Sequence, residues 1–155
     1  MEYKKDGFIN QRAIVLPHFI KELMIQNELT RLLYVTDIGF YPKAKGHYRI
    51  RNKGSEQNIL IYCTEGKGWI STNGTRHEIV KGHFFIIEAG LPHIYAASES
   101  DPWSIYWLHF TGEKKHLFQV IYNKVHHIDD APEARLKDRL MSVSYTHLRA
   151  HETTL

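Results

Sequence analysis

Eleven histidines and one cysteine stand out in this chain, so metal ligation and nucleophilic catalysis are the first chemistries to weigh. A metal site needs converging side chains, which a strand commonly supplies as a His-x-His pair; the chain has no such pair. His126 and His127 are adjacent, so on a helix they would point about a hundred degrees apart. His93 has no evident ligating partner, and a lone histidine suits a hydrogen-bonding role in a pocket or core better than ligation. No metal and no other cofactor are therefore expected. Cys63 ends the apolar run Ile59-Leu60-Ile61-Tyr62, a setting that favours an inert, buried thiol. There is no Gly-x-Ser-x-Gly elbow, and Gly66-Lys67-Gly68 lacks the further glycine and helix of a phosphate loop. Glu65, Glu78 and Glu88 fall at or near strand ends, where solvation is expected. The chain does not read as an enzyme.

A polar-aromatic pocket is the chemistry that remains. Arg51, His93, Tyr95, Trp103, Tyr106 and Trp107 come from strands that a small antiparallel barrel would bring together. Sugars and similar polyols offer apolar C–H faces to aromatic rings and hydroxyls to oriented donors and acceptors, and this set supplies both. Side chains alternate along a strand, so 103, 105 and 107 share one face and 104, 106 and 108 the other. Only one of Tyr106 and Trp107 can then face the interior. The plainer alternative is that Trp103 and Trp107 simply fill the core.

The elements that must position these residues can be read from periodicity. Pro17 followed by Phe19, Ile20, Leu23 and Met24 predicts a helix over 17–33, with Asn27 and Thr30 as interruptions. From Leu32 to about His109 the period becomes that of strands. Stretches 33–38, 46–51, 58–63, 69–71, 75–79, 83–88, 93–98 and 103–110 read as strands separated by turns. Asn73-Gly74 is a strong two-residue hairpin signal. Many short strands at regular spacing argue for a sandwich or small barrel over a parallel α/β sheet. After Gly112, the residues Leu117, Phe118, Val120, Ile121 and Val125 predict an amphipathic helix ending near His126-His127. A second helix would carry Leu136 and Leu140, capped by Asp129 or Asp130 with Pro132 in its first turn. The segment Ser142–Glu152 breaks this pattern and resembles translated sequencing-adapter read-through, so residues 142–155 are set outside the fold.

Composition narrows the function classes. The 155 residues suit one domain, are 43% hydrophobic and 24% charged, and carry a net charge of +3, which excludes a wholly disordered chain. Basic residues are scattered and form no stripe along one helix face, so a solvated surface explains the charge better than direct DNA contact. A single cysteine forms no internal disulfide, Met1–Phe8 is charged, and the longest apolar runs are too short to cross a bilayer. A cytoplasmic, non-membrane protein is expected.

The ordered series of motifs resembles a known family. Arg51-x-x-Gly54, Ile61-Tyr62-x-x-x-Gly66-x-Gly68 and Gly82-x-Phe84-x-Ile86 are followed by Pro92-His93-x-Tyr95 and Pro102-Trp103-x-x-Tyr106-Trp107-x-His109-Phe110-x-Gly112. Together, over roughly residues 30–125, they are similar to the sensor domain of AraC-type transcription regulators. The resemblance implies a mainly β fold, a double-stranded β-helix (cupin-like, jelly-roll) barrel followed by two C-terminal helices that pair for dimerisation. It implies an N-terminal arm and helix over 1–30, an effector-binding barrel over 31–112 and dimerisation helices over 113–141, the second truncated. A helix-turn-helix DNA-binding domain normally follows in the family and is expected to be missing here, so DNA would be reached only through that absent part.

Position by position, the resemblance makes Arg51 a sugar-binding arginine, Tyr95 and Trp107 pocket aromatics with Trp107 the stacking platform, and His93 a pocket residue. Ile105 stands where the arabinose-binding member has a polar contact, which argues against arabinose itself. Glu88 stands where many relatives have proline, a change expected to affect only the turn. The arm around Ile9–Pro17 is expected to close over the ligand, and Leu117, Phe118 and Ile121 are expected at the dimer face, with packing on their own barrel as the alternative. The partners implied are a sugar-like effector and, in the full-length protein, a second copy. The rival function is a metal-dependent cupin enzyme acting on a sugar or other small molecule. Against it, only His93 matches a cupin ligand position, and the first cupin motif, where Ile59–Gly66 lies, holds no histidine. A barrel used only for protein association is the third possibility.

Overall fold

A computed structural model of the chain describes residues 2–128 and 138–142. The described residues form ten strands, β1 (Arg12–Val15), β2 (Tyr34–Tyr41), β3 (Tyr48–Arg51), β4 (Asn58–Glu65), β5 (Lys67–Thr72), β6 (Thr75–Val80), β7 (His83–Ile87), β8 (His93–Ala97), β9 (Ser104–Thr111) and β10 (His126–His127). Helix α1 spans His18–Gln26, and residues 138–142 are also helical. The strands build a six-stranded sheet in the order β1-β2-β9-β4-β7-β10 and a four-stranded sheet in the order β3-β8-β5-β6. All strand pairs are antiparallel. Most neighbours are distant in sequence, as in a jelly roll whose chain passes repeatedly from one sheet to the other. The mainly β expectation holds.

Alternation decides what each strand contributes. Ile59, Ile61 and Cys63 of β4, Phe85 and Ile87 of β7, and Ile105 of β9 meet Ile70, Ile79 and Tyr95 from the smaller sheet in one core. The other face of the larger sheet is buried too: Tyr62 and Tyr106 pack with Leu140, and Ile86 and Phe110 with Tyr122. Burial on both faces explains why β4 reads as an unbroken apolar run. The Asn73-Gly74 hairpin joins β5 to β6 with both residues at positive φ, 51° and 75°, the type I′ geometry that the dipeptide favours.

Three expectations need correction. The helix foreseen over 17–33 stops at Gln26, because the Asn27 carboxamide oxygen accepts from the Leu29 and Thr30 amides and turns the chain into a short 3₁₀ turn at Thr30–Leu32. The amphipathic helix foreseen after Gly112 is instead a series of turns with one 3₁₀ turn at Gln119–Ile121. Barrel side chains hold that path: Asn58 Nδ2 donates to the Lys115 carbonyl, and the Glu88 carboxylate accepts from Gln119 Nε2 and Asn123 Nδ2. Glu88 is thus half-buried and tied to this stretch, neither fully solvated nor confined to shaping its turn. His126-His127 does not end a helix but pairs with β7 as β10. Of the second foreseen helix, residues 138–142 are helical; its proposed caps, Pro132 and Leu136 lie outside the described residues.

Candidate functional site

Between the two sheets lies a cavity of about 290 Å³ lined by both of them and by the N-terminal arm. Its floor is odd-numbered: Asp37 and Tyr41 from β2, and Ile105, Trp107 and His109 from β9. Arg49 and Arg51 reach it from β3 and Tyr95 from β8, where Arg49 lies opposite Tyr95 and Arg51 opposite His93. Ala13 and Val15 of β1, with Lys5, Asp6 and Gln11, complete the wall. The arm is fastened there. Phe8 is buried, with its ring 4.9 Å from Tyr41 and 5.1 Å from His47. The Lys4 amide donates to the Gly46 carbonyl, and the Tyr48 amide to that of Lys4.

Trp107 lies across β2 at Gly39. A Cβ at that glycine would come within 2.4 Å of the indole Cζ2 and 2.8 Å of the Arg12 carbonyl oxygen, so only glycine lets ring and arm approach from opposite sides. The Trp107 indole N–H is buried without a hydrogen-bond partner, and so is Arg49 Nε. Buried donors are seldom left unpaired outside functional sites.

Arg51 is better tied. Its Nη1 donates to His93 Nε2 and to the Tyr95 hydroxyl, each at 3.2 Å. His93 Nδ1–H donates to the Leu91 carbonyl at 2.8 Å, which fixes the tautomer that leaves Nε2 free to accept. Burial first, and then the arginine charges, lower the His93 pKa against the pull of that carbonyl. His47 is pushed down to about 3 by burial and then by Arg49 and Arg51, and its Nδ1 accepts from Trp103 Nε1 at 3.1 Å. His109 is lowered to about 4, burial outweighing Asp37. Its Nδ1 lies 3.7 Å from the Asp37 carboxylate, too far for a hydrogen bond. Burial raises the Tyr41 phenol to about 12. At neutral pH the cavity thus holds neutral imidazoles among full arginine charges.

Arg51, Tyr95 and Trp107 therefore share the cavity wall, whereas His93 stands behind Arg51 and orients it. Trp103 is fully buried in the core, and Tyr106 faces the outer side of the larger sheet. Sequence reasoning missed Arg49, His47, Asp37 and His109. Arg49 was within reach, since it shares the face of Arg51 in the stretch already read as a strand. Leu117 and Phe118 are 63% and 46% exposed, whereas Ile121 packs against the cluster of Ile86, Phe110 and Tyr122. Among the described residues no group of three or more His, Cys, Asp or Glu side chains is placed to hold a metal ion, and no helix is long and apolar enough to cross a membrane.

The pattern of the AraC-like ligand binding domain matches residues 38–127. The chain is 30% identical over 102 residues to the MmsAB operon regulatory protein of Pseudomonas aeruginosa, covering 63% of this chain and 33% of that protein. It is 30% identical over 59 residues to the lactose operon transcription activator of Staphylococcus xylosus, covering 38% of this chain and 21% of that protein. The chain thus spans a third or less of these curated relatives. Among solved structures it is similar to a cupin 2 conserved barrel domain protein from Salinispora arenicola, at 13% identity and a TM-score of 0.46 over 77% of this chain and 89% of that one. It is also similar to the Schizosaccharomyces pombe Cnp3 cupin domain, at 14% identity and a TM-score of 0.45 over 74% of each chain.

Proposed function

Because the chain belongs to the family of AraC-like ligand binding domains, we propose that it is the effector-binding part of a bacterial transcription regulator and takes a small polar molecule, sugar-like in its hydroxyls, into the barrel. The observation that carries this is the cavity itself, where an arginine pair, the Tyr95 hydroxyl and the Trp107 indole converge on one space between the sheets. Its volume of about 290 Å³ sits at the low end of ligand pockets, which run from roughly 300 Å³ upward. Binding is what the wall supports most directly, because its arginines, the Tyr95 hydroxyl and the Trp107 indole N–H are donors set to hold a polar molecule. The curated relatives are regulators by name, which favours this reading over a metal-dependent enzyme.

In this reading the arm transmits occupancy. Lys5, Asp6, Gln11, Ala13 and Val15 would touch the ligand directly, so binding would favour the docked arm over an undocked one. Leu117 and Phe118 offer exposed apolar surface for a second copy, and Ile121 fits packing on its own barrel. In the whole protein DNA would be engaged by a helix-turn-helix domain of the kind the family carries, and that work would be done in the cytoplasm.

A thermal-shift screen against sugars, sugar acids and divalent metals tests the proposal, with Trp107→Ala alongside. A ligand that binds the native state must raise its apparent stability. Stabilisation by a polyol-like compound, lost in Trp107→Ala, is the expected result. Stabilisation by a metal and by no organic compound would reverse the assignment in favour of the enzyme.

A further inference from the structure

Arg49 has no role in the fold that its surroundings explain. It alternates with Arg51 on β3, both on the inward face, while Ile50 between them is 43% exposed. Its Nε is buried without an acceptor, and among the described residues its side chain forms neither a hydrogen bond nor an ion pair. Arg51 donates only to neutral groups, His93 and Tyr95. Arg49 is half-buried, with its Nε fully covered, and a partly desolvated charge without a counter-charge is a cost that folded proteins offset by pairing it or by placing it where a ligand does.

The cavity does not supply the missing charge. Its cations are Lys5, Arg49 and Arg51 and its carboxylates Asp6 and Asp37, none of them within salt-bridge distance of either guanidinium. Asp37 accepts from the Thr36 hydroxyl and faces His109, and Asp6 belongs to the exposed arm. A second orphan donor, Trp107 Nε1, lines the same space. A neutral sugar would satisfy some of these donors and leave the charge uncompensated. A carboxylate accepts from guanidinium forks in a planar, two-point geometry and cancels the charge as well.

We propose that the effector is a small hydroxylated carboxylic acid, its carboxylate held between Arg49 and Arg51 and its hydroxyls meeting Tyr95 and the Trp107 indole N–H. This rests on the effector-binding reading above and narrows it from sugars to their acids or to shorter hydroxy acids of similar bulk.

The test uses matched acid and neutral pairs on the full 155-residue chain: glucuronate and glucose, galacturonate and galactose, gluconate and glucitol, glycerate and glycerol, with glucose 6-phosphate as a separate arm. Thermal shift and titration calorimetry are run at constant ionic strength. The expected result is that at least one acid binds about ten- to a hundredfold more tightly than its neutral partner, the range for charge-assisted hydrogen bonds. Arg49→Gln should abolish that preference, and Arg49→Lys should restore part of it. Ligand-free Arg49→Gln should keep or raise its Tm, because a half-buried, unpaired charge has been removed. A marked loss of Tm in that variant would mean that the fold itself uses the charge, and would overturn the proposal. Neutral members binding as tightly as acids would overturn the acid and leave the effector reading standing. Stabilisation by glucose 6-phosphate alone would replace the carboxylate with a phosphate. Failure of every acid, with a metal as the sole stabiliser, would remove both readings.

Discussion

Replacing His47 by glutamine should flatten the acid side of the stability profile while leaving the barrel intact. His47 is 2% exposed, and its Nδ1 must be unprotonated to accept from Trp103 Nε1. Its pKa falls from the ordinary 6.5 to about 3 in the folded protein. The unfolded chain therefore binds a proton that the folded chain refuses anywhere between those values, so stability is complete above about pH 6.5 and drains as pH falls toward 3. One pH unit across that window is worth at most about 1.4 kcal/mol for one group, and integration from pH 8 to pH 5 gives a loss of about 2 kcal/mol from His47 alone. Glutamine keeps an acceptor for the Trp103 indole but does not titrate. Urea unfolding of wild type and His47→Gln at pH 8, 7, 6 and 5 measures the difference directly. The wild type should lose about 2 kcal/mol more than the variant over that range, whichever is more stable at pH 8. Parallel profiles would show that His47 titrates normally, and the argument from its buried aromatic cage would be wrong.

Four further outcomes are expected. Gly39→Ala forces a Cβ into the Trp107 ring and the Arg12 carbonyl, so it should cost about 1–3 kcal/mol by overpacking and shift tryptophan emission, together with a loss of effector binding; unchanged emission would refute the contact. Asn58→Ala leaves the Ala89 amide without its side-chain acceptor and the Lys115 carbonyl with the Tyr122 hydroxyl as its one remaining side-chain donor, a loss of about 1–3 kcal/mol that urea unfolding would report, with faster proteolysis between 113 and 123. In Gly74→Val the turn keeps φ near 75° with open space around it, so the cost should be confined to backbone strain, about 1–2 kcal/mol, readable as a drop in Tm without any effect on effector affinity. The pair Leu117→Ser and Phe118→Ser should lower self-association in light scattering and leave the Tm unchanged, because both side chains are exposed; a destabilised monomer would instead place them on their own barrel.

The strands were legible because each one obeys a rule acting over few residues. Asn73-Gly74 demands its turn, and the run from Ile59 to Cys63 needs a strand covered on both faces. Alternation alone required that Tyr106 and Trp107 part company, and the cavity received Trp107. What escaped notice depends on contacts between distant segments. Apolar residues at 117, 118, 120 and 121 have helical spacing, yet Asn58 and Glu88 bond the backbone and side chains of that stretch into turns, and no local window contains those partners. Arg49 went unnoticed for a different reason. A charged residue on a strand is commonly solvated, and only the registry of β3 against β8 turns it inward beside Tyr95. The resemblance made His93 a pocket residue, whereas in the structure it lies outside the cavity wall and bonds Arg51 from behind.

Strand β9 carries two messages on one backbone. Its odd positions, Ile105, Trp107 and His109, meet the cavity, and its even positions, Tyr106, Leu108 and Phe110, meet the packing on the outer face of the sheet. Substitutions can therefore drift along one parity without disturbing the other. A lineage could exchange what the barrel recognises at residues 105, 107 and 109 while inheriting unchanged the surface through which the rest of the chain attaches. An engineer seeking a sensor for a new compound would randomise the same three positions and leave their neighbours untouched.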